Sequence, residues 1–224
     1  MKKTLIALST AALFTAVIIS GCSKDEDTTG PVISLNGSET LKISLNSSVS
    51  DPSATSTDDN DGTVAVTSDW SSSNPDQNKK GSYTVTYTAT DAAGNMTTKA
   101  RTVNVVNDAD FLVGSYANSK DSCASTMTST GFATSPTVVT STTTNRKFTI
   151  SNFGAFGASA VVTCMIQTDS TITATSGQSL GGTATLTNVI SPSMIVSATG
   201  PVFKITYSWN DGAASDVCVS TYIK

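Results

Sequence analysis

Gly81-Ser82-Tyr83-Thr84-Val85-Thr86-Tyr87-Thr88-Ala89 decides the fold. Tyr83, Val85, Tyr87 and Ala89 fall on one face and hydroxyl-bearing residues on the other. Strict alternation of this kind marks a half-buried strand. Asp91-Ala92-Ala93-Gly94-Asn95 follows as a tight turn. Beyond it Arg101, Val103 and Val105 alternate with Thr102 and Asn104, so a second strand pairs back on the first. Upstream, Leu41, Ile43 and Leu45 alternate with Lys42 and Ser44. Asp61-Gly62 turns the chain ahead of Val64 and Val66, since glycine takes positive φ. Trp70 is a candidate core or edge aromatic of this segment.

The run GSYTVTYTATDAAGN, preceded in order by PVISLNG and by a DP…TDDNDG segment, resembles the bacterial immunoglobulin-like repeats of surface proteins, of the Cry22Aa-like, HYR-related type. The resemblance covers residues 30–107. It implies a β-sandwich of about seven strands in two packed sheets, with a role as spacer or adhesion module. No cysteine pair staples this segment, so side-chain packing must hold its core.

After the Asn107–Asp110 junction a second segment, 111–224, carries short strands with regular turns. They are expected at 137–141, 147–153, 160–167, 171–174, 182–188, 194–198, 202–209 and 217–222. Phe203, Ile205, Tyr207 and Trp209 share one face. The stretch from Asn152 to Gly157 reads as a bent or bulged turn. The expectation is an all-β protein: an N-terminal immunoglobulin-like β-sandwich, then an antiparallel β-barrel or β-sandwich. FLVGSY, KFTISNFGAFG and YSWNDGAASDVCVSTYIK are similar to uncharacterised C-terminal domains of Bacteroidetes lipoproteins, some described as lipocalin-like. That likeness implies no activity.

Lys2 and Lys3 precede an apolar run from Leu5 to Ile19 that ends at Ser20-Gly21-Cys22. The run is short for a membrane span and has the plan of an export signal. It resembles a bacterial lipobox, which implies cleavage after residue 21 and diacylation of Cys22. Residues 22–29 then form a flexible acidic tether. Ser23-Lys24-Asp25-Glu26-Asp27 is similar to the Bacteroidetes export signal for surface lipoproteins, which implies an outer-membrane, cell-surface location. Asp27-Thr28-Thr29 and Asp169-Ser170-Thr171 resemble the O-glycosylation pattern of the same bacteria, with Thr28 and Ser170 as acceptors.

Composition closes off several functions. The 224 residues are 13% charged with net charge -4 and no basic stripe, which argues against nucleic-acid binding. There is no histidine, so every Ser-His or Cys-His nucleophile is excluded. No pair of carboxylates stands out for hydrolysis. Neither catalysis nor a cofactor is expected. With Cys22 lipidated, Cys123, Cys164 and Cys218 remain. Export favours one disulfide, and Cys123–Cys218 is the expected pair, with Cys164 as the rival partner of either. Asp58, Asp59 and Asp61 invite a calcium reading, which Asp91 and Asn95 would complete only if the fold brought them near. The EF-hand frame fails, with Thr57 at its first position and Ser68 at its last. A turn-forming role is the stronger reading, so no metal is expected. Among aromatics, Phe156 in its loop and Trp209 beside Asn210-Asp211-Gly212 are the candidate ligand contacts. The expected function is that of a lipid-anchored surface binding or adhesion protein for a glycan or an envelope protein. The alternative is a structural subunit of an envelope complex with no small-molecule ligand.

Overall fold

The computed structural model describes residues 26–125, 129–131, 135–190, 194–197 and 200–224. Cys22 and the leader lie outside them. The first domain contains β1 (Val32–Leu35), β2 (Thr40–Ser44), β3 (Ala54–Asp58), β4 (Gly62–Val64), β5 (Val66–Ser68), β6 (Gly81–Thr90) and β7 (Met96–Val106). They form two sheets, β1-β3-β4 and β2-β7-β6-β5, in which β2 runs parallel to β7. The alternating face of β6 is inward: Val85, Tyr87 and Ala89 are buried against Val103 and Val105 of β7 and Ile43 of β2. Trp70 packs half-buried on the same core. Each fully buried valine contributes about 1.5–3 kcal/mol to folding. The turn at Asp61-Gly62 needs glycine, with φ of 72°. Arg101 shares the inward face of β7 and is fully buried. Its guanidinium donates to the carbonyls of Asn36 (2.8 Å) and Ser53 (3.2 Å) and lies 5.5 Å from the Tyr87 ring centre.

Among the described residues the second domain adds β8 (Gly114–Ser115), β9 (Lys120–Cys123), β10 (Ser129–Gly131), β11 (Thr137–Thr140), β12 (Lys147–Ser151), β13 (Val161–Ile166), β14 (Ile172–Ala174), β15 (Ser179–Gly181), β16 (Ala184–Ile190), β17 (Met194–Ser197), β18 (Gly200–Asn210) and β19 (Ser215–Tyr222). A 5-stranded sheet, β14-β13-β12-β11-β8, faces a 7-stranded sheet, β10-β9-β19-β18-β16-β15 with β17 beside β18. The two sheets stay separate, so this domain is a sandwich and not a closed barrel. Strands β9 and β19 nevertheless pair, with Cys123 opposite Cys218. Their sulfurs are bonded, and Cys164 is free and buried. Burial pushes the Cys164 thiol up to about 12. Strands β8, β9, β10 and β15 were not expected from the sequence, and the bend expected at 152–157 is a 3-10 turn, Gly154–Phe156. Gly154 has φ of 61°, and a Cβ there would stand 2.5 Å from the Tyr207 hydroxyl. Only glycine lets the backbone pass that phenol.

The junction is a docked joint. Asn107 donates through Nδ2 to the carbonyls of Ser141 (3.0 Å), Thr144 (3.0 Å) and Lys147 (3.2 Å), and its Oδ1 accepts from the N–H groups of Ala109 and Arg146. Asp108 accepts from Ser44 (2.7 Å) and Asn145 (2.9 Å). Lys80 reaches across to Asp110 and Thr140, while Asn46 accepts from the Asn145 N–H (2.9 Å). Burial works against ionisation of Asp108 and Asp110, but these hydrogen bonds outweigh it and hold both carboxyls below their ordinary value. A carboxyl lowered in the folded state contributes stability above its unfolded pKa and loses it as pH falls through the folded value. The joint should therefore be unchanged from pH 7 to 5 and loosen below about pH 4. Small-angle scattering checks this, through a rise in radius of gyration while the strand circular-dichroism signal persists.

Candidate functional site

Phe203 pairs with Tyr222, close to the joint, where Lys224 donates to the Val113 carbonyl (2.8 Å). Seven residues further along β18, Asn210 pairs with Ser215 at the hairpin. At about 3.3 Å per residue this hairpin lies roughly 20 Å from the joint end. There a cleft of about 400 Å³ opens, lined by Thr187, Ser208, Trp209, Asn210, Ser215, Asp216 and Val217. A register shift between Leu186 and Asn188 makes Thr187 a bulge at its rim. Thr187 and Ser208 share a hydroxyl hydrogen bond of 2.7 Å. Asp216 is fixed by Ser125, through its N–H and its hydroxyl, and those bonds hold its carboxyl below the usual range.

Both candidate aromatics meet at this end. Phe156 and Trp209 lie edge to face, 5.4 Å between ring centres, and Phe156 also contacts Tyr207. Phe156, expected exposed in its loop, is half-buried because its ring caps the core end. Trp209 is half-buried too, in line with its place on the inward face with Tyr207. Its Nε1–H is buried and finds no acceptor among the described residues. The cleft thus brings Trp209 together with several hydroxyls, an amide and a carboxylate. A second opening of about 350 Å³ beside Lys147 and Met165 is lined by threonines and holds no ring.

Beneath the site the core carries a polar group that local sequence does not reveal. Asp121 of β9 is buried and accepts from the hydroxyls of Tyr207 (2.8 Å) and Ser220 (2.8 Å). Burial, then the charge of Asp121, pushes the Tyr207 phenol well above its usual value. The phenol therefore stays protonated and donates.

Of the proposed glycan acceptors, Thr28 is exposed in the segment before β1. Ser170 is exposed at φ of 66° in a turn that Asp169 closes onto Thr171 (3.0 Å). Of the calcium candidates, Asp59 is exposed at the surface, Asp61 accepts from the Ala92 N–H (2.7 Å), and Asp58 lies beside Asp91 and Asp27.

The topology of the first sandwich matches what comparison with known proteins finds. Residues 33–105 match the family model described as bacterial surface protein, Ig-like domain. The first domain is thus Ig-like, of a kind borne by bacterial surface proteins. No curated protein sequence matches the chain. Among solved structures, the lipoprotein BT2262 from Bacteroides thetaiotaomicron is similar over 86% of this chain and 99% of its own, at 18% identity and a TM-score of 0.34. A structure of CBM51-2 in complex with GlcNAc and INT domains of ZmpB from Clostridium perfringens is similar over 80% of this chain and 29% of its own, at 17% identity and a TM-score of 0.25.

Proposed function

We propose that the chain is a lipid-anchored, outer-membrane surface protein whose Ig-like domain presents the second sandwich as a tip, and that the tip holds a glycan. The cleft at Trp209 carries the reading. Sugars are bound by apolar ring surface together with fixed hydroxyl, amide and carboxylate partners, and the cleft brings Trp209 together with Thr187, Ser208, Asn210 and Asp216 at the end away from the joint. The docked joint supports it, since a tip held at a fixed angle presents its site outward. Glycoside hydrolysis needs two carboxyl groups flanking the bond. Among the described residues a single carboxylate, Asp216, lines this cleft, and Ser125 already engages it. The reading is therefore capture without turnover.

A glycan array probed with the purified full chain tests it. Thr187 is exposed, so Thr187→Arg fills the cleft without touching the core. Binding should fall at least about tenfold, about 1.4 kcal/mol, with an unchanged unfolding midpoint. No bound glycan, or undiminished binding by the variant, would remove the glycan reading. The anchor is tested in the same preparation: Cys22→Ala should move the protein from the membrane to the aqueous fraction.

A further inference from the structure

The end of the Ig-like domain where the chain comes in gathers three carboxylates. Asp58 closes β3, Asp91 follows β6, and Asp27 lies in the segment before β1. One oxygen of each is within 4.8 Å of the other two. Asp58 is 8% exposed and Asp91 7%. Among the described residues no lysine or arginine forms an ion pair with any of the three. Like charges this close repel, and burial strips away the water that screens them.

A turn-forming role explains only half of Asp58. Its Oδ1 accepts from the N–H groups of Asn60 (2.9 Å) and Asp61 (3.1 Å). Its Oδ2 is buried and has no hydrogen-bond partner among the described residues. Buried polar atoms are almost always satisfied, and a carboxylate oxygen without a donor lacks a positive partner. The surroundings are already ordered for one. Asn95 donates through Nδ2 to Asp91 (2.9 Å) and to the carbonyls of Asp27 (3.0 Å) and Thr29 (3.3 Å), which fastens the incoming segment to the turn after β6. Asp61 fastens the turn after β3 to the same place through Ala92.

We propose that Asp27, Asp58 and Asp91 bind one calcium ion, which pins the incoming segment to the base of the Ig-like domain. The donors are all oxygen, which selects a hard cation. Three carboxylates from three separate segments suit the six to eight oxygens and irregular shell of calcium. Magnesium keeps several waters and takes one or two carboxylates in a strict octahedron. The ion supplies the partner Asp58 Oδ2 lacks and cancels the repulsion among the three groups. Asp27 is five residues beyond Cys22, so calcium would set the angle at which the stalk leaves its anchor. The site stands apart from the cleft and does not depend on what the cleft holds.

The test is calorimetric titration and thermal unfolding of the purified full chain after removal of divalent ions with a chelator. One calcium per chain is expected. The Ig-like domain's midpoint should rise by roughly 5–10 °C at a tenfold excess over the dissociation constant. Magnesium at the same concentration should give less than about a third of that shift. Asp27 lies outside every strand, and among the described residues its carboxylate otherwise accepts from the Thr29 N–H (3.0 Å). Asp27→Asn should therefore not lower the metal-free midpoint, since it removes one of three mutually repelling charges, and should abolish most of the calcium shift. No heat and no shift at about 5 mM calcium, above the range of extracellular calcium modules, would overturn the site. A full shift in Asp27→Asn would overturn it by placing the ion elsewhere, and an equal magnesium shift would overturn the choice of calcium.

Discussion

Replacing Cys123 and Cys218 together by alanine lowers the stability of the second domain by about 4–5 kcal/mol. The bond closes a loop with a sequence separation of 95 residues, and the entropy of the unfolded chain rises when so long a loop is opened. The two cysteines face each other across β9 and β19. The β9–β19 pairing holds β10 and β9 to the rest of the 7-stranded sheet. Strand β9 is only four residues long and presents Lys, Asp, Ser and Cys, so it has little apolar surface of its own. Without the bond it relies on its ladder and on the grip of Tyr207 and Ser220 on Asp121. Both cysteines are replaced so that neither thiol is left to pair with Cys164. In the native protein Cys164 does not compete, because a buried thiol pushed up to about 12 forms almost no thiolate. Urea unfolding of the full chain checks this. The second domain's midpoint should drop, as it should when the parent is reduced, while the Ig-like domain's midpoint stays. A loss under about 1 kcal/mol would mean that native contacts alone hold β9 in place.

What could be read from the sequence depended on how local the signal was. Tyr83 to Ala89 alternate within nine residues, and burial of Val85, Tyr87 and Ala89 follows from that period alone. The same holds for Phe203, Ile205 and Tyr207. Strand β9 was illegible because its one buried side chain, Asp121, is satisfied by partners 86 and 99 residues away. Asn107 to Asp110 read as a linker because short polar stretches usually are. Here their polar groups grip the 141–147 stretch together with Ser44, Lys80 and Thr140, and nothing nearby in sequence announces that. Arg101 sat in the right alternation, but a guanidinium on an inward face depends on carbonyls at Asn36 and Ser53 that only the fold supplies. The acidic loop was half legible. Asp58 is visible as an oxygen donor and Asp91 as one that could complete a site if the fold brings it near, but nothing in the sequence points to Asp27, about thirty residues before Asp58. Phe156 differs for a related reason: its flanking Ala155 and Gly157 suggest exposure, whereas in the fold the ring finds the nearest apolar partner, Trp209.

Phe203→Ala should cost the second domain about 3–5 kcal/mol, the range for losing a buried phenylalanine together with the cavity it leaves. Phe203 is fully buried on β18. It stacks on Tyr222 of β19, with ring centres 4.5 Å apart and planes 10° apart. It meets Tyr116 (5.3 Å) and Phe148 (6.4 Å) edge-on. Phe148 belongs to β12, so this one ring bridges the two sheets as well as neighbouring strands. Each aromatic pair adds about 0.5–1.5 kcal/mol beyond the area it buries, which places the substitution toward the upper end. Tyr116 also donates to the Leu112 carbonyl (2.6 Å) at the joint, so the cavity opens beside the residues that hold the two domains together. Thermal unfolding should show the second domain's transition lowered by roughly 10–20 °C. Phe156→Ala is the control. That ring is half-buried at the opposite end of the core, and its loss should cost clearly less. If Phe203→Ala cost no more than Phe156→Ala, the ring bridge would not be what joins the sheets, and the seam would have to lie in other contacts between them, such as Phe153 on Tyr207.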